Sequence, residues 1–462
     1  MRIWIASALA ATGLLAASAQ AAPPSPADVA RYAETLLAES YPADGPGAAV
    51  LVKRGDQVLY RGARGMASIE LGVPLSPDHV FRIGSTTKQF GGAAILKLAE
   101  AGKLSPDDPV SRFLPDYPGA ADMTLVQLLN HTAGVHNYTA LPDMMAKMIR
   151  HDVDTDGLIA EFRDAPPDFA PGQDWSYSNS GYVLIGAVIE KASGQPWHAY
   201  LKQAFLDPLG MRQTGYGDAA AGVIRGHATG YDYRDGKTVA SAMISMTQPH
   251  VAGALVSSVD DLARWNRALH QGRVLTPDSY RRMTTPEGRA QEQHYGLGIW
   301  NGRLNGHRIL QHGGGIPGFL TYNAYLPDSD TSVVVLHNAS SNAKGVPYVG
   351  QVGSRLAAFV AGNPFPPATA VDLPAEALDA YEGQYRSADG SQAWTFKRAG
   401  ENLTVQREGS KQPIPLTPVG DGVFLPITSL DRYEFTRDAS GAATHLRYQA
   451  DSGEAAVQAA RQ

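Results

Sequence analysis

The strongest constraint on this chain is where its hydrophobic period changes. Strand-like segments stand at both ends of the first 360 or so residues, and helices and long loops fill the middle. Gly47 to Val52 and Gln57 to Arg61 are β-rich runs joined by Lys53-Arg54-Gly55-Asp56, the pattern of a hairpin. Tyr295 to Asn301, Arg308 to His312, Phe319 to Leu326 and Ser332 to Asn338 are apolar or alternating runs divided by Gly, Pro and Asp turns. A lone hairpin is marginal in water, so these distant segments are expected to complete one sheet. The fold class is therefore α/β (α+β), with a helical lobe inserted between the two sets of strands.

Capping signals place the helices. Ser25-Pro26 with Asp28 opens one that runs to about Ser40, and Gln89 to Ala101 stops at Gly102. Thr124 with Gln127 is a capping box before Leu125, Leu128 and Leu129. Asn179-Ser180 starts a helix carrying Tyr182, Ile185 and Ile189, and Ser258 with Asp261 starts one carrying Leu262, Trp265 and Leu269. A last helix is expected between about Val346 and Val360. Residues 363–372, following Gly362, are a linker by composition, and from Leu373 to Tyr448 short alternating strands describe a small antiparallel barrel or sandwich. Residues 22–362 and 373–462 are thus expected to be two domains.

Met1-Arg2, the apolar run Ile3 to Ala17 and Ala19-Gln20-Ala21 describe a secretory signal peptide spanning 1–21. The run is too short to span a bilayer comfortably, and no later stretch serves as a transmembrane anchor. Export to the periplasm or medium is expected. The chain has no cysteine, which excludes disulfides, thiolate metal sites and a cysteine nucleophile. Removing Arg2 with the signal moves the formal net charge from −6 to −7. Without basic runs, that mild acidity argues against nucleic acid and anionic membranes.

The chemistry concentrates at Ser85-Thr86-Thr87-Lys88. A serine and a lysine three apart at a helix start share a face, so a hydroxyl lies beside an amine. Burial and the positive helix end both disfavour an ammonium at Lys88 and leave it able to take a proton. Ser341-Asn342-Ala343-Lys344 repeats the pattern, so context must choose. Tyr177-Ser178-Asn179 is the only Y-x-N among 20 tyrosines. A phenol set near a lysine ionises more easily, and the amide two residues on can hold a substrate carbonyl. His312-Gly313-Gly314-Gly315 ends a strand in a glycine run against which a substrate can lie. His131 and His136 with Asp122 follow no metal-binding spacing and are expected to be turn histidines bonded to backbone.

S-x-x-K, Y-x-N and H-x-G in this order resemble the serine β-lactamase and penicillin-binding-protein superfamily. Leu128-Leu129-Asn130-His131-Thr132-Ala133-Gly134, Pro208-Leu209-Gly210-Met211, Ala252 to Ser258 and Tyr295-Gly296-Leu297-Gly298 look like stretches of its class C branch, which also contains esterases and D-alanyl-D-alanine carboxypeptidases. The resemblance implies an antiparallel sheet flanked by helices, with Ser85 as nucleophile and Lys88 and Tyr177 as the proton-handling pair, either of which could be the base. It implies Asn179 as a substrate amide ligand, His312 near the substrate's carboxylate or leaving group, and Ser85 and Gly315 N–H groups as the oxyanion hole. No cofactor or metal is required. Histidine replaces the lysine of many class C β-lactamases, which moves the expectation toward a small ester, amide or peptide substrate. A β-lactamase or D,D-carboxypeptidase, and a non-catalytic binding module on the same fold, are the alternatives.

Overall fold

The computed structural model describes residues 23–142, 144, 148–218, 220, 222–341, 348–410 and 412–462. The proposed signal segment 1–21 and the lysine of the second S-x-x-K lie outside these residues.

A seven-stranded antiparallel sheet is assembled from both ends of the first 340 residues. Strands β1 (Ala48–Arg54) and β2 (Gln57–Arg64) form the hairpin, and β3 (Trp300–Leu304), β4 (His307–Gln311), β5 (Gly314–Ile316), β6 (Phe319–Leu326) and β7 (Thr331–His337) complete it. The order is β3-β4-β6-β7-β1-β2, with β5 pairing β6 beyond the end of β4. The long-range join is β1 on β7, in register from Ala48 against His337 to Arg54 against Thr331.

Both faces of the central strands are covered, which explains the unbroken apolar run at Ala48–Val52. Ala48, Val50, Val52, Val333 and Val335 pack beneath helices α1 (Pro26–Ser40) and α6 (Val349–Val360). Ala49, Leu51, Val334 and Leu336 face the other way, toward α2 (Thr87–Glu100) and α5 (Val259–His270), in a core that continues into the helical lobe around α3 (Asn179–Ser193). The capping residues act as expected: Ser25, Thr124 and Ser258 each accept the N–H of the residue three later.

One expectation is corrected. The strand expected from Tyr295 begins only at Trp300. Residues 295–299 instead wrap α2: a Cβ on Gly92 would lie 2.2 Å from the Leu297 carbonyl, and Gly298, at φ +86°, sits against the Lys88 carbonyl. Helix α3 starts at Asn179 as expected, capped by Ser178, whose hydroxyl accepts from Gly181 N–H. At the C-terminal end eight strands between Gly383 and Arg461 close into a barrel around Tyr385, Trp394, Phe396, Phe424 and Leu446. Closure needs a strand beyond the expected end, Val457–Arg461, which pairs with Gly383–Ser387. Hydrogen bonds from α6 and from the β3–β4 turn reach the barrel. Gln351 Nε2 on α6 donates to the Pro426 and Ser429 carbonyls at 2.8 and 2.9 Å, and the β3–β4 turn donates from Asn305 and Gly306 N–H to the Asp451 and Ser452 carbonyls.

No helix among the described residues is long and apolar enough to cross a membrane.

Candidate active site

Ser85 sits in a 3-10 turn, Gly84–Thr86, that runs directly into α2. Side chains on either side of it lock the turn. Thr86 Oγ1 donates to the His312 carbonyl at 3.0 Å, and Thr87 Oγ1 donates to the Gly84 carbonyl at 2.7 Å while accepting Leu255 N–H. The first contact ties the serine turn to the end of β4.

Lys88 is fully buried in the first turn of α2. Its Nζ lies 2.8 Å from Asn179 Oδ1, 2.8 Å from the Ala252 carbonyl and 3.2 Å from Ser85 Oγ. Burial drives its pKa well below the usual lysine value. The two closer partners are pure acceptors and take N–H donors, so in the neutral amine the remaining lone pair faces the serine hydroxyl. An amine so placed can accept the Ser85 proton.

Tyr177 lies over the same lysine, with Nζ 4.7 Å from its ring centroid. The sequence-based expectation that the lysine eases ionisation of this phenol is reversed. Burial pushes Tyr177 up, and a hydrogen bond with Ser85 offsets this only in part. A phenol that stays protonated beside the serine can give a proton rather than take one. Asn179, in the first turn of α3, spends Oδ1 on Lys88 and offers Nδ2, 3.4 Å from Thr139 Oγ1, toward the pocket it lines.

The glycine run is explained by contact. A Cβ on Gly314 would lie 1.9 Å from the Ile83 carbonyl, and one on Gly84 would lie 2.9 Å from Gly315 N, so β5 can touch the serine turn only without side chains there. Gly313, next to the Thr321 carbonyl, precedes this contact. Ser85 and Gly315 line the same pocket on closely approaching backbones, the arrangement that an oxyanion hole made of their N–H groups requires.

His312 is placed differently from a ligand for a substrate anion. Its ring is buried, Nδ1–H donates to the Gly313 carbonyl at 2.6 Å, and Nε2 accepts from the Tyr295 hydroxyl at 2.9 Å. Burial, then the nearby Lys88, lowers its pKa to about 3, so it is neutral. Trp300 covers it with ring centroids 4.5 Å apart. Sequence reasoning missed Ala252, which acts through its carbonyl and so leaves no side-chain signal, and the aromatic wall of Tyr182, Tyr295 and Trp300. It placed His131 correctly as a turn histidine: Nδ1 accepts Ser178 N–H at 3.1 Å. His136 instead contacts Asp168 at 2.6 Å. Ser341 of the second S-x-x-K accepts Tyr233 N–H at 2.9 Å.

Comparisons with known proteins identify the family. The Beta-lactamase family model matches residues 34–352. PbpX of Bacillus subtilis, assigned as a penicillin-binding protein, is 30% identical over 67% of this chain and 74% of its own. Esterase EstB of Burkholderia gladioli is 38% identical over 37% of this chain and 47% of its own. The structure of a D-stereospecific amidohydrolase from Streptomyces sp. superposes with TM-score 0.61 at 29% identity, covering 67% of this chain and 94% of that one. With the matched span holding Ser85, Lys88, Tyr177, Asn179 and the His312 glycine run, the chain belongs to the Beta-lactamase family and is a serine hydrolase of that fold.

Proposed function

We propose that the protein is an exported hydrolase that acylates Ser85 with small esters, or with D-amino-acid amides or peptides, and releases the acyl group to water. The observation that carries this is the Lys88 amine, held by Asn179 Oδ1 and the Ala252 carbonyl with its lone pair toward Ser85 Oγ. Lys88 takes the serine proton, the Ser85 and Gly315 N–H groups hold the oxyanion, and Tyr177 protonates the leaving group. Water then attacks the acyl-enzyme by the same steps reversed. The acyl group fits a pocket lined by Tyr138, Ile149, Ile244, Pro249 and Ile316, without a charged side chain.

A substrate preference for esters and D-amides over β-lactams is supported by His312, which is neutral and has both nitrogens engaged inside the protein. The names of the esterase and amidohydrolase relatives point the same way. The test is intact-mass detection of an adduct after incubation with p-nitrophenyl esters, D-amino-acid amides, an acyl-D-Ala-D-Ala peptide and a chromogenic cephalosporin. Ester or D-amide adducts absent from Ser85→Ala support the proposal; turnover of the cephalosporin alone would overturn it. Export is tested by N-terminal sequencing of the protein recovered outside the cytoplasm, with a mature start at Ala22.

A further inference from the structure

Next to the Ser85 pocket lies a second cavity, lined by Arg82, His227, Thr229, Ser241, Pro317 and Phe319 among others. Ile244 and Pro317 line both, so the two are parts of one groove. Three polar side chains around the second part are buried without a hydrogen-bond partner among the described residues: Arg82 at Nε, His227 at Nε2 and Ser241 at Oγ. Among the described residues no carboxylate lines either part.

Arg82 is unusual for a half-buried arginine. Its contact with the protein is the face of Phe319, with Cζ 5.9 Å from the ring centroid, and among the described residues no acidic group is paired with it. Burial lowers its pKa, the mark of a cation removed from water without compensation. Arg54 and Arg64, also half-buried, instead donate to the Val360 and Tyr41 carbonyls. A guanidinium fork held by an aromatic face and flanked by a hydroxyl is suited to bind a carboxylate with two hydrogen bonds.

The groove also fixes which part of a substrate reaches it. The pocket at Ser85 is lined by Asn179 and Gly315 but not by Tyr177 or His312. The leaving group must lie beside its proton donor, Tyr177, so the acyl group extends the other way, past Ile244 and Pro317.

Resting on the acyl-enzyme reading above, we infer that Arg82, with Ser241 and Thr229, forms a carboxylate subsite for the far end of the acyl chain, making monoesters or monoamides of dicarboxylic acids preferred substrates. Arg82 is then a specificity-determining residue, and the site's fixed positive charge lies on the acyl side rather than at His312.

The test uses p-nitrophenyl esters of ω-carboxyacyl chains from succinyl to suberyl, each paired with the ester whose terminal carboxylate is replaced by its methyl ester. For wild type, kcat/KM should favour the carboxylate member at the best chain length by about 10- to 100-fold, the worth of a charge-assisted pair. In Arg82→Gln the ratio should fall to about one, and in Arg82→Lys it should recover in part. Because each ratio is taken within one variant, a general loss of activity cancels. If Arg82→Gln does not fold, free adipate against wild type decides: competitive inhibition by adipate but not by adipamide supports the subsite, and no inhibition overturns it. A wild-type ratio near one, or an unchanged ratio in Arg82→Gln, also overturns it. If neutral esters acylate Ser85 without this discrimination, only the subsite falls; if no ester acylates Ser85, the hydrolase proposal falls with it.

Discussion

Lys88 Nζ stands 3.2 Å from Ser85 Oγ, while two pure acceptors at 2.8 Å claim its N–H groups. Fully buried, it is driven well below the usual lysine pKa. The neutral amine is the active form, so kcat/KM should rise with pH through the Lys88 pKa and fall as the pH drops below it. Lys88→Met should lower kcat/KM on a p-nitrophenyl ester by about 10²- to 10⁴-fold. Lys88→Arg should fare no better, because a guanidinium does not deprotonate in this range. Stopped-flow acylation rates across pH, with circular dichroism as a folding control, check both.

Tyr177 gives a separate signature, because a leaving group that departs as a stable anion needs little help from an acid. Tyr177→Phe should reduce hydrolysis of an alkyl ester or an amide by about 10²- to 10⁴-fold. It should reduce kcat/KM for a p-nitrophenyl ester, which reports acylation alone, far less. Equal losses on both leaving groups would make Tyr177 part of proton removal from Ser85.

The second S-x-x-K at Ser341 should be silent. Its hydroxyl accepts Tyr233 N–H in a backbone-anchoring contact. Ser341→Ala should therefore retain fluorophosphonate labelling that Ser85→Ala loses, read by gel fluorescence.

What the sequence disclosed follows a physical rule. Side chains that stand in a recognisable order, Ser85, Lys88, Tyr177 and Asn179, are the ones the fold gathers around one buried amine, and strands whose period and turns agree were legible too. The Ala252 carbonyl was hidden because any residue can supply one. Arg82 was hidden because an arginine in a strand is ordinary until its lack of a partner is seen in three dimensions. Tyr295 was misread as the start of a strand because apolar residues alternating with glycine imitate the strand period, although Gly296 is there to let the segment approach the Met283 carbonyl and Gly298 to let it approach α2. His312 was assigned to substrate because the sequence shows a histidine before glycines but not the Tyr295 hydroxyl that occupies it.

Buried histidines make the fold acid-sensitive. His250, His270, His312 and His337 are each lowered by burial from 6.5 to about 3. With the folded value depressed, the unfolded chain takes up the protons, so stability is lost as pH falls from 6.5 toward 3. Each histidine contributes about 1.4 kcal/mol per pH unit inside that window. His337 has neither ring nitrogen partnered among the described residues. His337→Phe should be stabilised relative to wild type by about 2 kcal/mol more at pH ~5 than at pH ~7, measured by urea unfolding at both. An unchanged difference would mean that His337 is protonated in the folded protein.

The contact between β5 and the serine turn yields the most demanding prediction. Gly314 is not in the left-handed region, so alanine there is conformationally permitted. The obstacle is space: its Cβ would sit 1.9 Å from the Ile83 carbonyl and 3.1 Å from Ser85 N. To admit the methyl, β5 must withdraw from the turn, which separates Gly315 N–H from Ser85 N–H and opens the oxyanion hole. Losing one such donor costs about 10²- to 10³-fold in kcat. Gly314→Ala should show a loss of that order in kcat with KM little changed. Gly315→Ala, whose Cβ meets only the end of the Leu320 side chain at 3.5 Å, should be nearly neutral. If the two variants lose activity equally, backbone approach is not what the glycine run provides, and the Gly315 N–H would have to be replaced as the second donor.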